Sequence, residues 1–208
     1  AALADGSLLF GAAASLRRIG IGYGISVVGG IGIGILIGRS AWLNDTWGSL
    51  LTGLQTLPSI CWLPLSILWF GLTEGAIIFV VIVSALLSIA NATSAGVQNI
   101  TPIYIKAGRN MGANGLRLWR TILLPAALPA IVSGLKQGWS FAWRALMAGE
   151  LLYVSVGLGQ LLMMGRELND MNRVIAVMIS LIGMGVLIDQ LIFARMEEAI
   201  RKRWGMEN

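Results

Sequence analysis

The chain has 208 residues, 56% of them hydrophobic and 12% charged, with 27 glycines, no histidine and a formal net charge of +5. A soluble domain carries about a quarter charged residues; half that supply implies that much of the surface meets hydrocarbon, so an integral membrane protein is expected. The missing histidine excludes a Ser-His-Asp triad, a Cys-His pair and a histidine-ligated metal, and Cys61, alone, excludes an internal disulfide.

A hydrocarbon core is crossed by about 20 helical residues. Five stretches qualify, which predicts an all-α polytopic membrane bundle. The first, about Ile19 to Gly38, places Gly22, Ser26, Gly30, Gly34 and Gly38 at every fourth position. Small residues at that spacing form a stripe on one helical face, along which a second backbone can approach closely. The glycines include no strict G-x-G-x-x-G and follow no short strand, which excludes a dinucleotide loop.

The second stretch, about Trp47 to Phe70, contains Pro58 and Pro64. Each removes a backbone donor, so a kinked or broken helix is expected. Broken helices survive at membrane depth only against protein or a watery cavity, which predicts an interior position. Gly71, Glu74 and Gly75 close this span at the outer surface. The third runs from Ala76 to about Ala95, the fourth from near Ile122 to about Val154, and the fifth from Val174 to about Phe193. None is a cleavable signal, because the earliest begins too far in. The sequence opens on Ala1 rather than methionine, and a sixth span upstream is expected.

Eight of the fifteen cations sit in two short segments, Lys106 to Arg120 and Arg195 to Arg203. Two spans separate these segments, so both lie on one side, and the positive-inside rule makes that side the cytoplasm, with the C-terminus. Arg39 joins them, while Arg17, Arg18, Arg166 and Arg173 fall outside. No basic stripe with interleaved aromatics suits a nucleic acid.

Ionisable groups within spans are costly and are functional candidates. Lys136, Ser140 and Arg144 recur at i, i+4 and i+8 on one face of the fourth span, and Glu150 lies on another face. A positive stripe in a central helix suits the path of a small anion. In the structural alternative Lys136 snorkels to the cytoplasmic edge and Arg144 pairs with Glu150 or Glu74. Asp189 reads as a helix-interface or boundary residue. Glu197 with Arg201 and Glu198 with Lys202 are i, i+4 pairs on a solvated helical end. Trp139 and Trp143 flank the stripe, with packing as their expected role.

Between the third and fourth spans lies IYIKAGRNMGANGLRLWRTILLPAALPAI. It is too long for a turn and too apolar for a solvated linker. Two short amphipathic helices meeting near Gly112 and Gly115 fit it, and apolar residues kept on the cytoplasmic side mark a docking surface. The spacing of Lys106, Ala107, Gly108, Gly112, Ile122, Leu124 and Pro125 resembles the E-A-A, three residues, G, nine residues, I-x-L-P loop of ATP-binding-cassette importer permeases. Lysine stands for the glutamate and Gly108 for the second alanine. The stretches LQTLPSICWLPLSILWFGLTEGAIIF and AALPAIVSGLKQGWSFAWRALMAGELL resemble the nitrate, sulfonate, taurine and bicarbonate branch, and the likeness runs from about Ser15 to Trp204.

The resemblance implies one permease domain over residues 1–208, of the type I importer class with six spans in the full chain. It also implies a coupling segment at about 100–121, including Lys106, Ala107, Gly108 and Arg109. A short helix, about Pro102 to Asn114, would dock on a separate ATPase. The implied partners are two ATPase subunits, a second permease copy as a homodimer and an external solute-binding protein, in a bacterial inner membrane. No G-x-x-x-x-G-K-[ST] occurs here, so ATP and Mg belong to the partner and no cofactor is expected on this chain. The rival classes are an ion-gradient transporter and a non-transporting assembly subunit. The former calls for a mid-membrane acidic site and an inverted repeat; Glu150 is the one central acid, and no clear repeat is evident.

Overall fold

The computed structural model describes residues 6–152 and 156–203, except for the side chain of Arg203. Val154, the expected end of the fourth span, and Trp204 lie outside the described residues. The regular elements within them are all helical.

Helix α1 (Ser7–Gly38) starts well before Ile19. Arg17 and Arg18 look like a membrane boundary in sequence, but the helix runs straight through them because both are paired with acids. The second span is broken into α2 (Ala41–Thr56) and α3 (Ser59–Phe70), bent by 101°. Pro58 forces the break. The residue before a proline is pushed out of the helical region, and Leu57 is extended at φ −68° and ψ 126°. Pro64 does not break the chain: α3 opens with a 3-10 turn at Ser59–Trp62, and Pro64 sits in the first turn of the α-helical part, Leu63–Phe70, where a missing N–H costs little.

The expected interior position of this span is not met within the chain. No residue of α2 is buried, and in α3 only Leu63 and Ser66 are. The break walls a cavity instead, the other environment in which irregular backbone is tolerated.

Helix α4 (Glu74–Gln98) is the axis of the fold, with Ile77, Val80, Val81, Ala85, Ile89 and Ala90 fully enclosed. The small residues of α1 lie against it. A Cβ on Gly22 would stand 2.7 Å from Val81, one on Gly30 2.8 Å from Ile89, one on Gly34 2.6 Å from the Ala90 carbonyl and one on Gly38 2.8 Å from Val97. Ser26 turns its hydroxyl to the Gly22 and Ile82 carbonyls. In lipid this close approach yields the packing energy that the hydrophobic effect cannot supply.

Helix α5 (Pro102–Asn110) is short, and α6 (Gly115–Leu152) is continuous over 38 residues with a π turn at Trp119–Leu123. The second amphipathic helix expected between spans is therefore the opening of the fourth span itself. On α4's other face, Gly138 of α6 leaves Ile89 no room for an added Cβ, at 2.7 Å. Helix α7 (Leu158–Glu167) was not anticipated, and α8 (Met171–Lys202) closes the chain with little of itself buried. Among the described residues four helices are long and apolar enough to cross a membrane, or five spans if α2 and α3 count as one.

Candidate functional site

Helix α5 ends in a tight cap. Gly112 takes φ +81°, its N–H bonds to the Arg109 carbonyl at 3.0 Å, and the Ala113 N–H bonds to the Gly108 carbonyl at 2.9 Å. This paired 5→2 and 6→1 pattern needs a left-handed residue after the helix, which glycine adopts without strain. The cap ends α5 at Asn110, short of the expected Asn114. Gly108 is buried against Ile122 and Leu118 with no space for a Cβ, so the segment is seated on the start of α6.

Ala113, Leu118 and Leu123 pack with Val97, Ile100, Ala127 and Ile131 in one apolar cluster. Arg39 covers the Trp119 ring at 4.7 Å, tying the end of α1 to the same place. Outward, Lys106, Ala107 and Arg109 are exposed beside Ile103, Tyr104, Leu116 and Met111, the last 86% accessible. Leu124 is exposed and Pro125 half-buried on the adjoining face of α6. The segment is thus gripped from behind and presents apolar side chains interspersed with two cations in front.

The second feature is a cavity of about 380 Å³ between the α2–α3 break, α4 and α6, lined by Gln55, Leu57, Pro58, Ser84, Phe141 and Arg144 among others. Arg144 is its one charged lining residue among those described. Its Nε donates to the Ser140 carbonyl at 3.2 Å and its guanidinium lies 4.7 Å from the Phe141 ring centre. No acid among the described residues pairs with it. A second, apolar cavity of about 850 Å³ shares Ile60, Arg144 and Ala148 with the first and is walled by α7 and α8.

The structure divides the residues expected on the anion path. Lys136 lies 3.3 Å from Asp189 and 3.8 Å from Glu197, joining α6 to α8. Glu197 therefore pairs across helices rather than with Arg201, while Glu198 and Lys202 form the i, i+4 pair at 2.6 Å. Ser140 bonds back to the Lys136 carbonyl at 3.4 Å. Trp139 stacks on Trp143 at 6.1 Å and meets Tyr23 edge-on at 5.1 Å; both tryptophans are half-buried against the core, and Trp143 also reaches the larger cavity.

Glu150 leaves the group altogether. It is 1% exposed, 2.8 Å from Arg18 and 2.8 Å from the Ser15 hydroxyl, and it accepts the Gly159 N–H at 3.0 Å. Arg18 also reaches Glu74 at 2.7 Å and the Val156 carbonyl at 2.9 Å, and Ser15 accepts the Leu158 N–H at 3.0 Å. These bonds lock α1, α4, α6 and the start of α7 together at the end opposite α5. Added Cβ atoms on Gly157 and Gly159 would each lie 2.5 Å from Glu150. The partners expected for Arg144 are thus taken by Arg18. Sequence reading missed this network because no local spacing links its members.

The family described as binding-protein-dependent transport system inner membrane component matches residues 30–200. The chain belongs to that family. Among its relatives, the nitrate import permease protein NrtB of Leptolyngbya laminosa is 34% identical over 188 residues, 90% of this chain and 67% of that protein. The taurine transport system permease protein TauC of Escherichia coli is 32% identical over 155 residues, 74% of this chain and 56% of that one. In fold the chain is similar to a chain of the inward-facing MetNI methionine ABC transporter, with a TM-score of 0.80 at 23% identity over 93% of this chain and 96% of that one. As a permease of this family it is a multi-pass, non-catalytic transport subunit of an ABC importer, with no cofactor of its own. Such permeases work with ATPase subunits and a binding protein.

Proposed function

We propose that this permease carries a small anion of the nitrate, sulfonate, taurine or bicarbonate type across the inner membrane, with α5 in the cytoplasm gripped by an ATPase. The observation that carries the anion reading is Arg144, a cation without an acidic partner among the described residues, in a cavity whose other described lining residues are uncharged. A desolvated anion entering there gains a charge-assisted donor and meets no competing carboxylate. The nitrate and taurine relatives support the same solute class.

The coupling reading rests on α5. It presents Ile103 and Tyr104, with Met111 just beyond its end, to the surroundings on a base fixed by Gly108, and the cationic Lys106 and Arg109 lie on the side that the positive-inside rule assigns to the cytoplasm. Because α6 runs unbroken from Gly115, through the π turn at Trp119–Leu123 and past Pro129, a push on α5 passes along the same helix that bears Arg144. Two such chains with two ATPase subunits, fed by an external binding protein, form the assembly this reading implies.

The test is uptake of nitrate, taurine and bicarbonate by the whole importer. Arg144→Gln is expected to weaken uptake of the transported anion by roughly 10- to 100-fold, the value of one hydrogen bond to a charged group, while Arg144→Lys keeps part of it. Full uptake by Arg144→Gln would overturn the anion reading.

A further inference from the structure

Beside the Arg144 cavity, between α2 and α4, runs a groove of about 500 Å³ lined by Asn44, Thr52, Asn91, Ser94 and Gln98, with no charged residue among the described residues of its wall. Gln55 lines the cavity and Asn91 lines the groove, and the Asn91 side-chain amide donates to the Gln55 carbonyl oxygen between them. Thr52 adds a longer contact to Asn91 at 3.4 Å. At the far end Gln98 bonds to Asn44 at 2.7 Å and to Ser94 at 2.9 Å, next to the α5 end of the bundle.

The depth of these groups matters. Asn91 is seven residues before the end of α4, about 10 Å along a helix, which places it within the hydrocarbon thickness. Partly exposed amides at that level cannot face lipid chains, so they face water or protein. The helix carrying Thr52 and Gln55 ends at the Pro58 break, so α2 can move against α4 without bending α3.

We propose that the seam between α2 and α4 is the inner leg of the solute path, and that the Gln55–Asn91 hydrogen bond is the latch that closes it. This rests on the reading of the Arg144 cavity as the solute chamber. A neutral amide and hydroxyl track suits an exit: it solvates an anion without holding it as a second arginine would. The latch is one hydrogen bond between uncharged groups, weak enough to open when α5 and α6 shift.

The experiment uses the whole importer in proteoliposomes, with nitrate as the probe and Cys61→Ser as background. Asn91→Ala and Gln55→Ala are expected to raise ATP-independent nitrate efflux about fivefold, the population shift that follows loss of one neutral hydrogen bond. A Gln55→Cys/Asn91→Cys pair bridged by Hg²⁺ is expected to stop ATP-driven uptake, with recovery on adding thiol. Unchanged efflux in both alanine variants, or normal uptake by the bridged pair, would overturn the latch. If efflux rises while Arg144→Gln transports normally, the latch stands and the anion chamber falls; if Arg144→Gln is inactive and efflux is unchanged, the chamber stands and the latch falls.

Discussion

Arg18 and Glu150 lie 132 residues apart in sequence and 2.8 Å apart in the fold, with side chains 2% and 0% exposed. A pair this deeply enclosed is maintained by its further hydrogen bonds. Glu150 also holds Ser15 and the Gly159 N–H, and Arg18 holds Glu74 and the Val156 carbonyl. Removing Arg18 strands the buried Glu150 carboxylate without a counter-charge, whereas Arg18 would keep Glu74 if Glu150 were removed. Arg18→Ala is expected to destabilise the protein by about 3–5 kcal/mol, read as a lowered thermal midpoint in detergent. Arg17→Ala, which removes an exposed ion pair to Glu74, should cost less than about 1 kcal/mol.

The stripe on α1 makes a sharper steric prediction. Gly34→Leu forces a side chain into the Ala90 carbonyl and Thr93 at 2.6 Å, and overpacking of this kind costs about 1–3 kcal/mol. Gly32→Ala, on the open face of the same helix, meets nothing within 4 Å and should leave the thermal midpoint at or slightly above that of the parent. Equal midpoints for the two variants would contradict the packing role.

What could be read from sequence depended on range. The four-residue recurrence of small side chains and the Pro58 break are local, and each leaves a periodic or backbone signature. The Gly112 corner is also local, because a left-handed cap needs glycine. The Arg18–Glu150 network leaves none: its members belong to four helices, and Arg17 and Arg18 looked like the edge of a span. The same misleading edge placed the start of α1 at Ile19 rather than Ser7. Helix α7 falls between the fourth and fifth expected spans and leaves no clear sequence signal, since ten residues give too little pattern beside Arg166 and Arg173. The interior position expected for the second span followed from a sound rule, but the rule admits a cavity as well as protein, and here a cavity serves.

The coupling segment is tested by two glycines with different reasons for being glycine. Gly108→Leu collides with Ile122 and Leu118, so it should lift α5 off α6. Gly112→Val has open space but a φ of +81°, a strain of about 1–2 kcal/mol that undoes the cap. Both variants are expected to insert into the membrane and to permit ATP hydrolysis that no longer drives uptake. Normal solute moved per ATP in both would contradict the lever.

The α2–α3 break predicts a change at Cys61, the chain's single cysteine, which is exposed just after Pro58. Pro58→Ala restores a backbone donor and favours a straighter helix. Labelling of Cys61 by a water-soluble maleimide should slow, and uptake should fall as the cavity narrows. Labelling at the parent rate would show that the proline is not what holds the cavity open.

The most direct test of the account asks what touches the exposed tip of the segment after α5. A photoreactive amino acid at Met111 in the assembled importer is expected to crosslink to the ATPase subunit, whereas the same group at Leu72, exposed at the opposite end of the bundle, should not. An ATPase adduct from Leu72 and none from Met111 would contradict the claim that α5 is where ATP hydrolysis is transmitted to the path.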